Sequence, residues 1–391
     1  MKATQMQNST LLKRTQPLRP SKIGLFSVCP LRYIFETERP EPGGLLPGPQ
    51  VYLGIAFHNA IENFWGQSLV KGTIVREWIR SEFGKKLTAE DRGLCQWLYN
   101  REGIDALISP SLVSDASRLA QQQVALSGYV PLRGGVPHAE NGQAIFGVER
   151  RVFSEKLDLA GRTDLVEMDG DRVSVVDFKL GFSLDESGEP KHEYLLQLAA
   201  YALIVKEVLG DISVSLELRS PKKTFRREFD LKLESKILDM LKTMRDTLPL
   251  EKPLDQTILA REGEHCLACG YRPVCSNYQN RLAHSQAIDD DFVSPLDVCG
   301  EVISVTSDGD MASVLLRAEP DLRRVYITGI PREMIEDGVR PGDYWAAYSL
   351  GTPEVRGKGN YIANFHLLDL VNFRQSAFSC KIVKSRNVLQ T

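Results

Sequence analysis

The stretch from Gly161 to Gly181 constrains the fold most, because it predicts a β-hairpin whose apolar strands carry charged residues. Leu157 to Glu167 and Arg172 to Lys179 are both rich in apolar and β-branched residues. The turn signal Asp169-Gly170-Asp171 lies between them, as a tight connection requires. We therefore predict two antiparallel strands within an α/β domain.

Three charged residues of this hairpin are predicted to converge. Side chains alternate between the faces of a strand, so Asp177 and Lys179 share one face, and Asp164 lies on the partner strand. Two carboxylates beside one lysine are costly unless a divalent cation neutralises them, and carboxylate oxygens suit Mg²⁺ or Mn²⁺. The alternative is an ordinary solvated hairpin, since a D-x-K triplet alone occurs by chance.

Polar residues on other predicted elements extend this pattern. His58 lies among apolar residues at helical spacing, where a histidine is usually part of the core. The segment from His192 to Leu209 predicts a helix on which Gln197 and Tyr201, four residues apart, share one face. Glu149 lies on an earlier strand, and we expect its carboxylate to face solvent or to assist at the metal only indirectly.

Three cysteines form a second cluster with the spacing C-x2-C-x5-C, at Cys266, Cys269 and Cys275. The N-terminus lacks the apolar centre of a signal peptide, and no run of about 18 apolar residues exists, so we expect a cytoplasmic protein without a membrane partner. Clustered thiols in that compartment indicate a metal site rather than disulfides. A zinc ion completed by His265 or His284 is one alternative.

Taken in order along the chain, these signals resemble the PD-(D/E)xK nuclease superfamily. Within it they resemble the RecB-like branch with an iron–sulfur cluster, of the CRISPR-associated exonuclease and helicase–nuclease subunit type. The signals are the Cys29-Pro30 segment, G-x-x-x-H ending at His58, G-x-x-D at Asp164 with D-x-K at Asp177, Q-x-x-x-Y at Gln197, and the C-x2-C-x5-C cysteines. Each motif is short, and their agreement in order from about Ser21 to Asn277 makes the match specific.

The resemblance implies a restriction-endonuclease-like α/β core, an activity and two cofactors. The activity is that of a metal-dependent DNA nuclease, an exonuclease on single-stranded DNA or DNA ends, in repair, recombination, or CRISPR and other anti-phage defence. Its Mg²⁺ or Mn²⁺ ligands would be His58, Asp164, Asp177 and the backbone carbonyl of Phe178. Lys179 would position the attacking water or steady the developing negative charge, while Gln197 and Tyr201 would orient the strand. A [4Fe–4S] cluster, acting as a structural staple, would be held by Cys29, Cys266, Cys269 and Cys275.

The chain is predicted to have three parts: a flexible basic arm over residues 1–20, the nuclease domain over 21–283, and a β-rich domain over 290–391. Short strands at even spacing favour a small β-barrel in the last part, with the OB type as the candidate. This part carries 11 Lys and Arg against 14 Asp and Glu, a net charge of −3. Aromatic residues such as Trp345 favour stacking on single-stranded DNA, but this charge opposes phosphate binding. A barrel that contacts a helicase or another protein, or one that is purely structural, is therefore at least an equal alternative.

DNA is the expected partner of the nuclease domain, and basic residues of a second predicted hairpin, around Ser220 to Lys223, are candidates for phosphate contact. Two rival functions remain open. One is a catalytically silent iron–sulfur subunit that only binds nucleic acid, and the other is a zinc-stapled scaffold that recruits a partner. The intact Asp, Asp, Lys and His set favours the enzyme, because clustered carboxylates would repel phosphate in a pure binder.

Overall fold

The structure is a computed structural model with two compact units. It describes residues 11–12, 16–38, 45, 47–67, 70–88, 99–101, 103–127, 145–169, 171–181, 188–210, 212–248, 252–253, 255–284, 296–319, 322–332, 335, 339–350, 353–355, 360–364 and 382–384. The first unit comprises Met1–Pro40, Gly54–Ile79 and Ser111–Arg261, and the second comprises Glu41–Leu53, Arg80–Pro110 and Glu262–Thr391. Most of the predicted basic arm lies outside the described residues, and so do residues 285–295, which include most of the predicted linker and the start of the predicted β-rich domain.

Helices predominate before residue 145 and strands after residue 295. The helices are α1 (Pro20–Val28), α2 (Pro30–Thr37), α3 (Pro49–Phe64), α4 (Gly72–Thr88), α5 (Pro110–Ser127), α6 (His192–Leu209), α7 (Leu231–Thr247), α8 (Gln256–Leu259) and α9 (Ser276–His284). Helices α1 and α2 each begin at a proline, which suits this position because it has no N–H to leave unbonded. None of the described helices is both long and apolar enough to span a bilayer.

The strands form one main sheet in each unit and one short pair. They are β1 (Leu11–Leu12), β2 (Gly147–Ser154), β3 (Leu159–Asp169), β4 (Arg172–Phe178), β5 (Val214–Arg219), β6 (Thr224–Glu228), β7 (Lys252–Pro253), β8 (Leu296–Asp308), β9 (Met311–Ala318), β10 (Arg323–Pro331), β11 (Tyr344–Leu350), β12 (Pro353–Val355), β13 (Asn360–Asn364) and β14 (Ile382–Lys384). The short pair joins β1 and β7 in the first unit.

A five-stranded sheet with the order β2-β3-β4-β5-β6 lies at the centre of the first unit. The predicted hairpin is confirmed as β3 and β4, which pair antiparallel. Helix α6 then crosses over the sheet, so that β5 lies parallel to β4, and β6 returns antiparallel to β5. This topology confirms a mixed α/β fold for the unit that carries the charged hairpin.

Helix α6 is apolar on most of its surface, which is why it packs as the central helix of this unit. Its predicted bounds, His192 to Leu209, are confirmed. Helix α1 approaches it so closely that a Cβ added to Gly24 would lie 2.4 Å from Cβ of Glu193. Phe26 of α1 and Val175 of β4 belong to the same buried cluster. The helix is therefore held on both sides, and its polar residues have fixed positions relative to the hairpin.

A seven-stranded sheet with the order β12-β13-β10-β9-β8-β11-β14 belongs to the second unit. Its pairs are antiparallel except β10 with β13, which are parallel. Its core includes Val302, Val314 and Val325. Among the described strands no pairing joins β12 to β14, so the sheet is open where the sequence predicted a closed barrel.

Candidate metal centre

Three elements of the first unit bring polar side chains together beside the hairpin. The pairing of β3 and β4, continued by one residue, sets Asp164 across from Asp177. The pairs on either side show that Glu149 of β2 lies opposite Asp164 on the other edge of β3. Helix α3 supplies His58. The three carboxylates thus meet because β3 is the middle strand of three, and helix α3 adds the histidine.

His58, Glu149 and Asp164 form a compact group of candidate metal ligands. His58 Nδ1 lies 3.1 Å from Glu149 Oε1 and 3.7 Å from Asp164 Oδ1. One ligand atom of each residue lies within 4.8 Å of the others, and within the described ranges no other group of three His, Cys, Asp or Glu residues does so. One imidazole nitrogen and two carboxylates are a donor set that accepts Mg²⁺ or Mn²⁺.

The backbone of Phe178 fixes the second oxygen of Asp164. Phe178 N–H donates to Asp164 Oδ2 at 2.7 Å, while its ring packs in the core with its centroid 6.2 Å from that of Phe57. Residue 178 therefore orients a carboxylate through its main chain and anchors the strand through its side chain.

Asp177 is buried and is held by two neighbours. Its Oδ1 accepts hydrogen bonds from Lys179 Nζ at 2.9 Å and from Gln197 Nε2 at 2.7 Å. Its Oδ2 lies 2.8 Å from Lys179 Nζ, yet no donor meets this oxygen with hydrogen-bond geometry in the described part of the chain. A buried carboxylate oxygen that is incompletely satisfied fits a position beside a cation.

Tyr201 supports the strand rather than pointing its hydroxyl outwards. Its phenol donates to the backbone carbonyl of Arg162 at 2.7 Å, and the residue is buried. A Cβ added to Gly161 would lie 2.8 Å from Tyr201 Oη and 3.1 Å from Pro20 Cδ. The glycine of G-x-x-D is thus required by close packing of α6 and α1 against β3.

Burial and neighbouring carboxylates together govern the protonation of this group. Burial lowers the pKa of His58, but Asp164 and Glu149 outweigh burial and raise it above its ordinary value. Burial likewise lowers the pKa of Lys179, yet Asp177 and Asp164 raise it to about 12. Burial raises the pKa of Asp177 to about 6, although Lys179 opposes that shift. Both bases hold their protons more tightly and the acid gives up its proton less readily, so the group favours added positive charge.

Sequence reasoning singled out every member of this group except Glu149, which it expected either to face solvent or to assist at the metal only indirectly, and the structure bears on the first alternative. That alternative is wrong, because the Glu149 side chain is only 8% exposed and contacts His58. Two further side chains were missed. Tyr194 lies one turn before Gln197, and Lys179 Nζ is 5.0 Å from the centroid of its ring. Arg162 lies 2.9 Å from Glu149. Both are placed by tertiary packing, for which the sequence shows no signal.

The second hairpin, β5 and β6, is only partly available to phosphate. Arg219 and Arg226 both bind Glu217, whose side chain is buried. Lys222 and Lys223 are exposed in the turn. Because Lys179 N–H bonds to the carbonyl of Arg219, this turn lies just beyond the end of β4 that carries the charged group.

The cysteines lie in both units. Cys29 is buried at the junction of α1 and α2 in the first unit. In the second unit, Tyr271 N–H donates to Cys269 Sγ at 3.4 Å, while Cys266 and Cys275 pack against a buried cluster that contains Cys299. The sulfur atoms of Cys266, Cys269 and Cys275 are not gathered as one zinc ion would require in the described part of the chain.

A buried ion pair anchors the segment between the second and third cysteines. Arg272 Nε lies 3.1 Å from Asp297 Oδ2, and both side chains are 2% exposed. Tyr278 donates to the same oxygen at 2.6 Å. Arg272 also donates to the carbonyl of Leu267, and Gln279 donates to the carbonyl of Arg272 at 2.7 Å. The cysteine segment is therefore fixed to β8 of the second unit.

One comparison with known proteins identifies the motif-bearing part of the chain. The sequence model of the PD-(D/E)XK nuclease superfamily matches residues 17–276, from before α1 to just past the third cysteine. No curated protein sequence gives a significant match. A solved structure described as "Crystal structure of SSO0001" is similar, with 16% identity, coverage of 57% of this chain and 94% of that chain, and a TM-score of 0.24.

Proposed function

Since this chain belongs to the PD-(D/E)XK nuclease superfamily, whose members are generally metal-dependent nucleases, we propose that it is a Mg²⁺- or Mn²⁺-dependent deoxyribonuclease. The observation that carries the proposal is the ligand group of His58, Glu149 and Asp164 beside the buried pair of Asp177 and Lys179. Carboxylates gathered in this way would weaken phosphate binding unless a cation joined them, so they favour cleavage over binding alone.

His58, Asp164, Asp177 and the carbonyl of Phe178 would hold the cation, as the resemblance implies, and Glu149 would join them. The bound ion would polarise the scissile phosphate and lower the pKa of a water molecule. The chain's own residues supply orientation: Phe178 N–H fixes Asp164, and Gln197 fixes Asp177. One oxygen of each carboxylate is therefore held by a hydrogen bond from the protein, and these bonds pre-organise the site.

Lys179 would act as a charge rather than as a base. With a pKa raised to about 12, its ammonium remains protonated at neutral pH. It would donate hydrogen bonds to the phosphate on which negative charge develops. The ring of Tyr194, which lies over the ammonium, would limit the positions that Lys179 adopts.

Gln197 and Tyr201 act in this proposal by holding Asp177 and the backbone of Arg162, their partners in the structure. The DNA would run past the exposed Lys222 and Lys223 at the same end of the sheet. Single-stranded DNA or DNA ends, cleaved as an exonuclease does in repair, recombination or anti-phage defence, are the substrates that the resemblance implies. The second-unit sheet would recruit a helicase or another protein.

The direct test is cleavage of 5′- and 3′-labelled single and double strands with Mn²⁺, in the presence and absence of chelator. We expect metal-dependent loss of label from single strands or ends, and the order of products gives the polarity. Lys232→Ala, which removes an exposed lysine at the start of α7, is the matched control for Lys179→Ala. DNA binding without cleavage under every metal tested would instead favour the silent binding subunit.

We also propose that Cys29, Cys266, Cys269 and Cys275 hold a [4Fe–4S] cluster, on the strength of the resemblance. Four thiolates suit such a cluster, and the N–H of Tyr271 on Cys269 Sγ is the kind of bond that cluster sulfurs accept. Anaerobically purified protein should contain about four iron atoms per chain. Cys275→Ser should lose them, whereas Cys299→Ser should keep them, because burial raises the pKa of Cys299 to about 11 and keeps it a thiol. Zinc at one atom per chain without iron would refute the cluster.

A further inference from the structure

One arginine connects the three elements that supply the candidate ligands. Arg162 lies on β3, two residues before Asp164. Its Nε is 2.9 Å from Glu149 Oε2 on β2, and it also donates to the backbone carbonyl of Glu149 at 3.1 Å. Its Nη2 is 2.6 Å from Oε2 of Glu62, which lies one helical turn after His58 on α3. A single guanidinium therefore spans α3, β2 and β3.

The two carboxylate oxygens of Glu149 have different partners. Oε1 lies 3.1 Å from His58 Nδ1, and Oε2 is held by Arg162. A guanidinium is planar and presents its N–H groups in fixed directions, so Nε on Glu149 and Nη2 on Glu62 fix the position of Glu149 relative to α3. The other oxygen, Oε1, is consequently directed towards His58, with which it shares a hydrogen bond, and so towards the ligand group.

The backbone at Glu149 supports a functional reason for this arrangement. Its φ is +53°, in the left-handed region that residues with a side chain seldom adopt. A strained backbone conformation of this kind persists only where surrounding contacts hold it in place, and such conformations cluster at functional sites. Arg162 bonds both the carbonyl and the carboxylate of this residue, so it contributes to that determination.

An exposed ion pair by itself contributes little, and the Arg162 side chain is 45% exposed. The contact with Glu149 differs from such a pair because the glutamate is nearly buried and belongs to the ligand group. Arg162 itself is anchored from behind, since its carbonyl accepts the hydrogen bond of Tyr201.

We propose that Arg162 is a positioning residue of the metal site, which fixes Glu149 as a cation ligand by bridging it to Glu62. This inference rests on the proposed function, because it requires that the group bind a divalent cation. It adds one ligand and one supporting residue that the motifs do not contain.

The test is Mn²⁺ binding to the full-length protein without DNA, measured from the electron paramagnetic resonance signal of free Mn²⁺. Loss of a residue that orients a metal ligand typically weakens affinity about 10–100-fold, and we expect this for Arg162→Gln and Arg162→Lys. The lysine variant keeps the charge but loses the planar guanidinium, so it separates orientation from electrostatics. Arg172→Gln, which breaks an exposed arginine–glutamate pair at the far end of the hairpin, should bind Mn²⁺ as the wild type does.

A double-variant cycle sharpens the result. If Arg162 acts through Glu149, the Glu149→Gln/Arg162→Gln protein should bind Mn²⁺ no more weakly than Glu149→Gln alone. Far-ultraviolet circular dichroism would verify that each variant is folded. Unchanged or tighter Mn²⁺ binding by Arg162→Gln would overturn the positioning role and leave the proposed nuclease intact. A wild-type protein that binds no Mn²⁺ would overturn both.

Discussion

Each unit buries a cluster of acids and bases, and the two clusters differ in charge balance. In the second unit, Arg272 is matched by Asp297 and Tyr278, and both ion-pair partners are 2% exposed. In the first unit, the carboxylates of Glu149, Asp164 and Asp177 lie beside Lys179 and His58, and Arg162 pairs both with Glu149 and with a fourth carboxylate, that of Glu62. Acids therefore outnumber bases there, and the His58 side chain is 28% exposed. The balanced, closed cluster is a structural contact, whereas the unbalanced, open one attracts a cation. Charge balance and exposure together therefore distinguish a structural ion pair from a candidate metal site.

The largest expected effect tests the closed cluster. Asp297→Ala leaves the Arg272 guanidinium buried without its counter-charge, which should lower the free energy of unfolding by about 3–5 kcal/mol. Urea unfolding measures this loss. Asp310→Ala, which removes an aspartate that is 80% exposed, is the control and should change little. A loss of under about 1 kcal/mol for Asp297→Ala would show that the pair does not support the fold.

The next effect is on catalysis in the open cluster. Lys179→Ala removes the ammonium that is proposed to face the phosphate, so cleavage should slow by roughly 100–1000-fold, or about 2.7–4 kcal/mol of activation free energy. Single-turnover cleavage of a labelled strand gives the rate. Cleavage at the wild-type rate would exclude Lys179 from the chemistry and remove the contrast between the clusters.

The third-largest expected effect is the stabilisation of the folded protein by bound metal. Mn²⁺ at about 100 times its dissociation constant should stabilise the wild-type protein by about 2.7 kcal/mol, because it binds only the folded state. His58→Ala should lose most of this gain, and Asp310→Ala should keep it. Thermal unfolding with and without Mn²⁺ makes the comparison. An equal gain in His58→Ala would place the cation elsewhere.

The smallest effect concerns folding without metal, and its sign is opposite to that for Asp297. Burial raises the pKa of Asp177 from 3.8 to about 6, so its charge opposes folding above about pH 6 and has no effect below about pH 3.8. Asp177→Asn should therefore stabilise the chelator-treated protein at pH 7.5, and the gain should shrink as the pH falls from 6 towards 4. Urea unfolding across this pH range tests the trend. Destabilisation by Asp177→Asn at pH 7.5 would show that the Lys179 pair outweighs burial.

The hairpin and α6 were predictable because local patterns determine them. Period-two alternation with an Asp-Gly turn specified β3 and β4, and a long apolar segment specified α6. The burial of Glu149 was not predictable, because its backbone departs from the extended conformation with a positive φ. Its proposed ligand role depends on a cross-strand register that the sequence does not display.

The second unit shows the same limit at a larger scale. Its strands were recognisable from their spacing, but whether they close into a barrel depends on which strands pair. The Arg272–Asp297 pair joins a cysteine segment to a strand across residues that the sequence suggested were a domain boundary. At Gly54, where an added Cβ would meet nothing within 4 Å, the described structure shows no packing reason for the glycine of G-x-x-x-H. At Gly161, by contrast, close packing against Tyr201 and Pro20 is the reason for the glycine.

The left-handed backbone of Glu149 has a consequence for directed evolution. At most strand positions glycine lowers stability, but at a φ of +53° it relieves strain instead. A library of variants selected only for thermal tolerance should therefore accumulate glycine or asparagine at position 149. Those clones would gain thermal stability while losing the carboxylate. Selection for DNA cleavage should therefore deplete the same substitutions that selection for survival on heating enriches.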